Sequence, residues 1–138
     1  MAVEVDALTH VPLLASLDRP ELERLSGLFK EHTFSEGAVI TREGQRGARV
    51  LAFFVIAEGR ASVTVGGERR AALGPGDHFG EIALFYDQPR TATVVAETDL
   101  RCFALGAWEF RPFVESHPEI AWPIMESMAQ RLAGNEAG

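Results

Sequence analysis

Between residues 34 and 105 glycines cut the chain into short β-prone runs, and this punctuation limits the possible folds more than any other feature. Ala38 to Thr41 is followed by Gly44, Val50 to Ile56 by Gly59, and Ala61 to Val65 by Gly66-Gly67. Arg69 to Leu73 leads into Gly74-Pro75-Gly76-Asp77, and further runs lie at Thr91 to Ala96 and Leu100 to Leu105. Many short strands with regular turns imply a roll, barrel or sandwich. Gly66-Gly67 predicts a tight hairpin, because a primed turn needs φ > 0 at its central residues. Ser62 and Thr64 alternate with Val63 and Val65, so that strand buries one face. Leu51 to Ala57 is almost wholly apolar and predicts a strand buried on both faces.

Helical spacing flanks this middle. Leu22, Leu25, Leu28 and Phe29 recur at the period of a helix. Asp18 is placed as its N-cap, Pro20 falls in the first turn where a missing N–H does no harm, and Glu21 completes a capping box. Leu8, Val11, Leu13, Leu14 and Leu17 form a second apolar segment around Pro12. After Leu105, Trp108, Phe110, Phe113 and Val114 fit one short helix. Pro118 opens another that carries Ile120, Ile124, Met125, Met128 and Leu132; Pro123 either kinks it or marks a later start. The tail from Gly134 to Gly138 has no helical pattern.

The chain has 138 residues, 46% of them apolar, enough for one domain with a sizeable core. Lys and Arg number 13 against 20 Asp and Glu, giving a formal charge of −7. Nucleic-acid binding needs a basic footprint, and the longest basic run is the pair Arg69-Arg70, so nucleic acid is not an expected partner. One cysteine, Cys102, excludes an internal disulfide and suits a reducing compartment. The first ten residues have no basic stretch before an apolar core, and no apolar run approaches the ~18 residues of a membrane span. A cytoplasmic protein without membrane association is expected.

The chemistry concentrates between Gly74 and Val94. Gly80 allows close backbone approach. Glu81-Ile82-Ala83-Leu84 is long enough for one helical turn, whose first N–H groups favour an anion. Arg90 follows in a loop, and a guanidinium grips phosphate oxygens bidentately. Glu81, an acceptor when ionised, suits a sugar hydroxyl. Together they match a phosphorylated sugar, although spacing alone leaves a surface ion pair as the plainer reading. His10, His32, His78 and His117 form no metal-binding pattern. Cys102 has no histidine near it in sequence to activate it and is read as a small core residue.

Phe79-Gly80-Glu81-Ile82-Ala83-Leu84 and Pro89-Arg90-Thr91-Ala92-Thr93-Val94 resemble the phosphate-binding cassette of cyclic-nucleotide-binding domains, the family of catabolite activator protein and protein kinase A regulatory subunits. His10 to Leu14, Phe34 to Ile40, Arg42 to Gly44, Phe54 to Gly59 and Leu73 to Asp77 extend the resemblance to about residues 8–133. It implies an α+β, mainly β, fold: an antiparallel β-roll (a double-stranded jelly-roll barrel) with N-terminal helices and C-terminal hinge and lid helices. The expected layout is one domain, 1–138, with helices at 8–31, the roll at 33–105 containing the cassette 79–94, and helices at 106–133.

The resemblance also implies residue roles. Glu81 would accept the ribose 2′-hydroxyl, and Arg90 would pair with the cyclic phosphate. Gly80 and Ile82 belong to the cassette turn. Backbone N–H groups of Ala83, Leu84 and Ala92 would complete the phosphate cradle. Thr91 could add a hydroxyl contact, and Val63 would rest against the purine. Met125, Met128 and Arg131 are the lid candidates. The stretch between Gly47 and Gly59, reading Ala48-Arg49-Val50-Leu51-Ala52, departs from the family by being a few residues longer. The chain ends where catabolite activator protein would continue into a helix-turn-helix domain. The implied function is a non-enzymatic sensor of cyclic AMP or cyclic GMP, with no cofactor, that signals to a protein effector or a second copy. The competing reading is a ligand-free interaction module on the same fold. A small-molecule enzyme on a β-roll is disfavoured by the lack of metal ligands and of an activated nucleophile.

Overall fold

The structure is a computed structural model that describes residues 3–45, 52–86 and 89–137, with side chains throughout except at 131 and 135–137. The departure expected around Ala48 to Leu51 lies outside the described residues. In chain order the elements are α1 (Val5–Thr9), a 3-10 turn (Pro12–Leu14), α2 (Arg19–Ser26), β1 (Lys30–Phe34), β2 (Val39–Thr41), β3 (Ala52–Glu58), β4 (Ala61–Val65) and β5 (Glu68–Leu73). There follow β6 (His78–Phe79), a 3-10 turn (Glu81–Leu84), β7 (Thr93–Ala96), β8 (Leu100–Gly106), α3 (Ala107–Ser116), a 3-10 turn (Pro118–Ile120) and α4 (Ala121–Ala137).

The strands form two four-stranded sheets in the orders β1-β8-β3-β6 and β2-β7-β4-β5, and every described pairing is antiparallel. The expected β-roll is present. The alternation of β3 explains how helices and barrel share one sheet. Ala52, Phe54 and Ile56 pack inward with Val94, Ala96, Leu100 and Cys102 of both sheets. Phe53 and Val55 pack outward with Leu8, Leu14, Leu25, Phe103, Leu105 and Phe110. Successive strand side chains point to opposite faces, so an apolar run is what a strand between two cores requires. Each fully buried Phe, Leu or Ile here contributes about 1.5–3 kcal/mol relative to exposure.

The turn chemistry follows the sequence. Gly66 and Gly67 have φ of 60° and 80° and join β4 to β5 with Val65 opposite Glu68. Asp18 caps α2 as expected: its carboxylate accepts from the Glu21 N–H, and the Glu21 carboxylate accepts from the Asp18 N–H, both at 3.1 Å.

Three boundaries differ from expectation. The helical segment expected to reach residue 31 stops at Ser26, and Lys30 and Glu31 belong to β1, paired with Ala104 and Phe103 of β8. A partner more than seventy residues away in the chain decides that strand, beyond the reach of local periodicity. His78–Phe79, to which the sequence reading assigned no element, forms a short strand against Val55 and Phe54. α4 runs to Ala137, through the tail that lacks a helical pattern. Among the described residues no helix is long and apolar enough to cross a membrane.

Candidate functional site

The β6 strand ends at Gly80, whose φ of +84° reverses the chain into the turn Glu81–Leu84. A Cβ at this position would lie 2.6 Å from the Ala52 carbonyl oxygen and 2.7 Å from Arg90 Nη1. Only glycine therefore satisfies both the left-handed backbone and the close approach of the arginine. Arg90 is 9% exposed, and its Nη2 donates to the Ala52 carbonyl at 2.8 Å. Burial pushes the Arg90 guanidinium down from its ordinary pKa. Arg90 is buried and is not a solvated surface group.

The backbone around Arg90 is clamped. Its N–H donates to the Gln45 carbonyl at 3.0 Å, and its carbonyl accepts from the Gly44 N–H at 2.8 Å. Thr41 Oγ1 donates to the Ala92 carbonyl at 3.3 Å, and the Glu43 N–H donates to Thr93 Oγ1 at 2.9 Å. The turn after β2 thus fixes the loop that carries the arginine.

One pocket of about 210 Å³ is lined by Gly80, Glu81, Ile82, Ala83, Pro89, Arg90 and Thr91. Six of these were singled out from sequence; Pro89 was quoted there only as part of the cassette. Leu84, Ala92 and Val63 do not line it. The Leu84 side chain is buried on the outer, helical side of the sheet. Ala92 is half-buried beside the pocket, its carbonyl engaged by Thr41. Val63 packs against the barrel interior and pairs with Val94. The Ala83 N–H donates to the Gly80 carbonyl at 3.1 Å, closing the turn.

One contribution was not legible in sequence, and a second, His78, stood out there only as a neighbour of the cassette. The Ala52 carbonyl that holds Arg90 comes from a strand 38 residues earlier, and no local signal marks it. His78 Nε2 lies 3.9 Å from Glu81 Oε2, with the side chains 22% and 16% exposed; its place just before Phe79-Gly80-Glu81 was the available signal. Cys102 is fully buried, and burial pushes its thiol up to about 12, which keeps it protonated near neutral pH. No cluster suited to a metal ion occurs among the described residues.

On the far side of the turn, Phe85 meets Phe110 of α3 edge-on at 5.3 Å. A second cavity of about 270 Å³ lies there, between the turn and helices α3 and α4. Met125 and Met128 line this cavity and not the Gly80–Thr91 pocket. α4 instead packs on the N-terminal segment, where Ser127 Oγ donates to Ser16 Oγ at 2.9 Å. The Arg131 side chain lies outside the described residues.

The sequence matches the family described as the cyclic nucleotide-binding domain over residues 31–117. This chain belongs to that family. It is 36% identical over 124 residues, 90% of its length, to a cyclic nucleotide-gated potassium channel of Rhizobium etli, of which it covers 34%. It is 39% identical over 101 residues, 72% of its length, to a cAMP-dependent protein kinase regulatory subunit of Yarrowia lipolytica, of which it covers 26%. The chain thus spans about a third or less of these relatives. Among solved structures, the N-terminal domain of a transcriptional regulator from Streptomyces coelicolor superposes with a TM-score of 0.86 at 30% identity, covering 96% of both chains.

Proposed function

We propose that this cyclic-nucleotide-binding domain captures cyclic AMP or cyclic GMP in the Gly80–Thr91 pocket. The domain then relays binding to a protein effector or to a second copy of the chain. The observation that carries the reading is Arg90: a buried guanidinium, set against Gly80 and the Ala52 carbonyl, in the same small pocket as an acceptor-only carboxylate. The cation suits a cyclic phosphate and Glu81 suits the ribose hydroxyl. The pocket's volume of about 210 Å³ is below the roughly 300–1,000 Å³ of whole small-molecule sites. It takes the sugar and phosphate, and leaves the base to extend beyond, with Val63 and Thr91 as the proposed neighbours. Leu84 and Ala92 contribute through backbone N–H groups.

The relay follows from where the turn sits. Glu81 and Ala83 line the pocket, whereas Leu84 and Phe85 pack toward α3. A ligand that favours one position of this turn shifts the population of the helices packed behind it. The regulatory names of the relatives support a sensor that releases its nucleotide unchanged, with no cofactor and no catalysis. Intact nucleotide recovered by chromatography after prolonged incubation is the expected outcome.

Titration calorimetry with both cyclic nucleotides, on the wild type and on Arg90→Ala, tests the reading. Removing one side of a buried charge pair costs about 2–5 kcal/mol, roughly 30- to several-thousand-fold in affinity. Binding that collapses by this factor identifies the site, and the stronger ligand names the nucleotide. Absence of heat with either nucleotide, from folded and ligand-free protein, sinks the proposal in favour of an interaction module.

A further inference from the structure

The turn that clamps Arg90 is tied to a third segment of the roll. After β2 the turn closes on itself: the Gln45 N–H donates to the Arg42 carbonyl at 3.0 Å, and Gln45 Oε1 accepts from the Arg42 N–H at 3.3 Å. One attachment of this turn is the backbone grip of Gly44 and Gln45 on Arg90. The other is Glu43. Its Oε1 accepts from the Gly66 N–H at 2.8 Å, at the tip of the β4–β5 hairpin and 23 residues away in sequence. The Glu43 N–H donates to Thr93 Oγ1, and Thr93 stands opposite Thr64 of β4. One exposed residue thus joins the end of β2, the start of β7 and the hairpin tip. Glu43 is not among the residues that line the pocket.

Resting on the nucleotide reading of the pocket, we propose that Glu43 is a positioning residue for Arg90: its carboxylate anchors the Arg42–Gln45 turn to the hairpin, and that turn holds the arginine loop. β4 and β7 are fixed by strand pairing, whereas Gly44 and Gln45 lie beyond the last described β2–β7 pair, Thr41 with Val94. Bonds from the side chains of Glu43, Gln45 and Thr93 take over where the ladder stops. A loop ordered before the ligand arrives does not draw its ordering cost from the binding free energy. Removing the Glu43 acceptor leaves the Gly66 N–H to water and returns freedom to the turn. One intramolecular hydrogen bond of this kind corresponds to about a two- to tenfold change in an equilibrium constant, which bounds the loss of affinity.

The test is calorimetry with cyclic AMP and cyclic GMP on the wild type, Glu43→Ala and Glu43→Gln, joined to amide exchange followed by NMR on the same proteins without nucleotide. Glu43→Ala is expected to bind about two- to tenfold more weakly. Glu43→Gln, whose side-chain carbonyl can accept the same N–H, is expected to regain wild-type affinity. In the nucleotide-free proteins the amides of Gly44, Gly66 and Arg90 should exchange faster in Glu43→Ala and return to wild-type rates in Glu43→Gln. Wild-type affinity in Glu43→Ala overturns the proposal and leaves the nucleotide reading intact. So does a Glu43→Gln variant as weak as Glu43→Ala, which would assign the effect to the charge and not to the acceptor. Unchanged exchange at Arg90 in Glu43→Ala overturns it whatever the affinities. If neither nucleotide binds the wild type, the nucleotide reading fails and exchange decides alone: faster exchange at Arg90, restored by glutamine, sustains Glu43 as the anchor of the arginine loop.

Discussion

Arg90 reaches its place through three constraints that act on single residues. Gly44 and Gln45 fix its backbone, the Ala52 carbonyl holds its Nη2, and Gly80 leaves room for its Nη1. Gly80→Ala violates two of them at once. The left-handed backbone at φ +84° is strained for any Cβ, and the methyl would press on the Ala52 oxygen and the guanidinium. We expect a loss of about 1–3 kcal/mol in urea unfolding, together with nucleotide affinity lowered at least as far as the displaced Arg90 dictates. A Gly80→Ala variant with unchanged midpoint and unchanged affinity would mean that the turn tolerates a different backbone.

At the scale of elements, short helices are stabilised from their ends and by the sheet beneath them. α2 is eight residues long, below the length at which an isolated helix persists in water. Its reciprocal Asp18–Glu21 cap satisfies two of the donors left open at its N-terminus. Asp18→Ala is expected to cost about 1 kcal/mol, read as a lower urea midpoint with an unchanged slope. The exposed position of Asp18 leaves no packing loss to confuse that reading. β3 shows the opposite balance, with five buried residues in succession feeding two cores.

At the scale of the molecule, the pocket and the helices share one short turn. Phe110 is 3% exposed and meets Phe85 on that turn, so it joins α3 to the site without touching the pocket. Phe110→Leu keeps an apolar side chain while removing the ring contact. Its expected signature is near-normal nucleotide affinity, with a reduced change in amide-exchange protection of α3 and α4 on binding. An unaltered exchange response would place the relay elsewhere. Truncation to alanine is a poorer probe, since removing a buried phenylalanine typically costs about 3–5 kcal/mol.

The features set by local chemistry were readable from the residues themselves. Gly66-Gly67 specified a hairpin because only φ > 0 closes it, and Asp18-x-x-Glu21 specified a helix start because the orphan N–H groups there need acceptors. The run Phe79 to Val94 pointed to the candidate pocket through its resemblance to the phosphate-binding cassette, since spacing alone favoured a surface ion pair. What the tertiary structure alone decided was non-local. β1 begins at Lys30 because β8 offers it a partner, and His78–Phe79 becomes a strand because β3 does. Arg90 turns from a possible surface charge into a buried one because the Ala52 carbonyl and Gly80 meet it from distant positions. α4 rests on the N-terminal segment through contacts such as Ser127 with Ser16, 111 residues apart. Pairing and burial of this kind depend on which surfaces meet, and no window of sequence contains both partners.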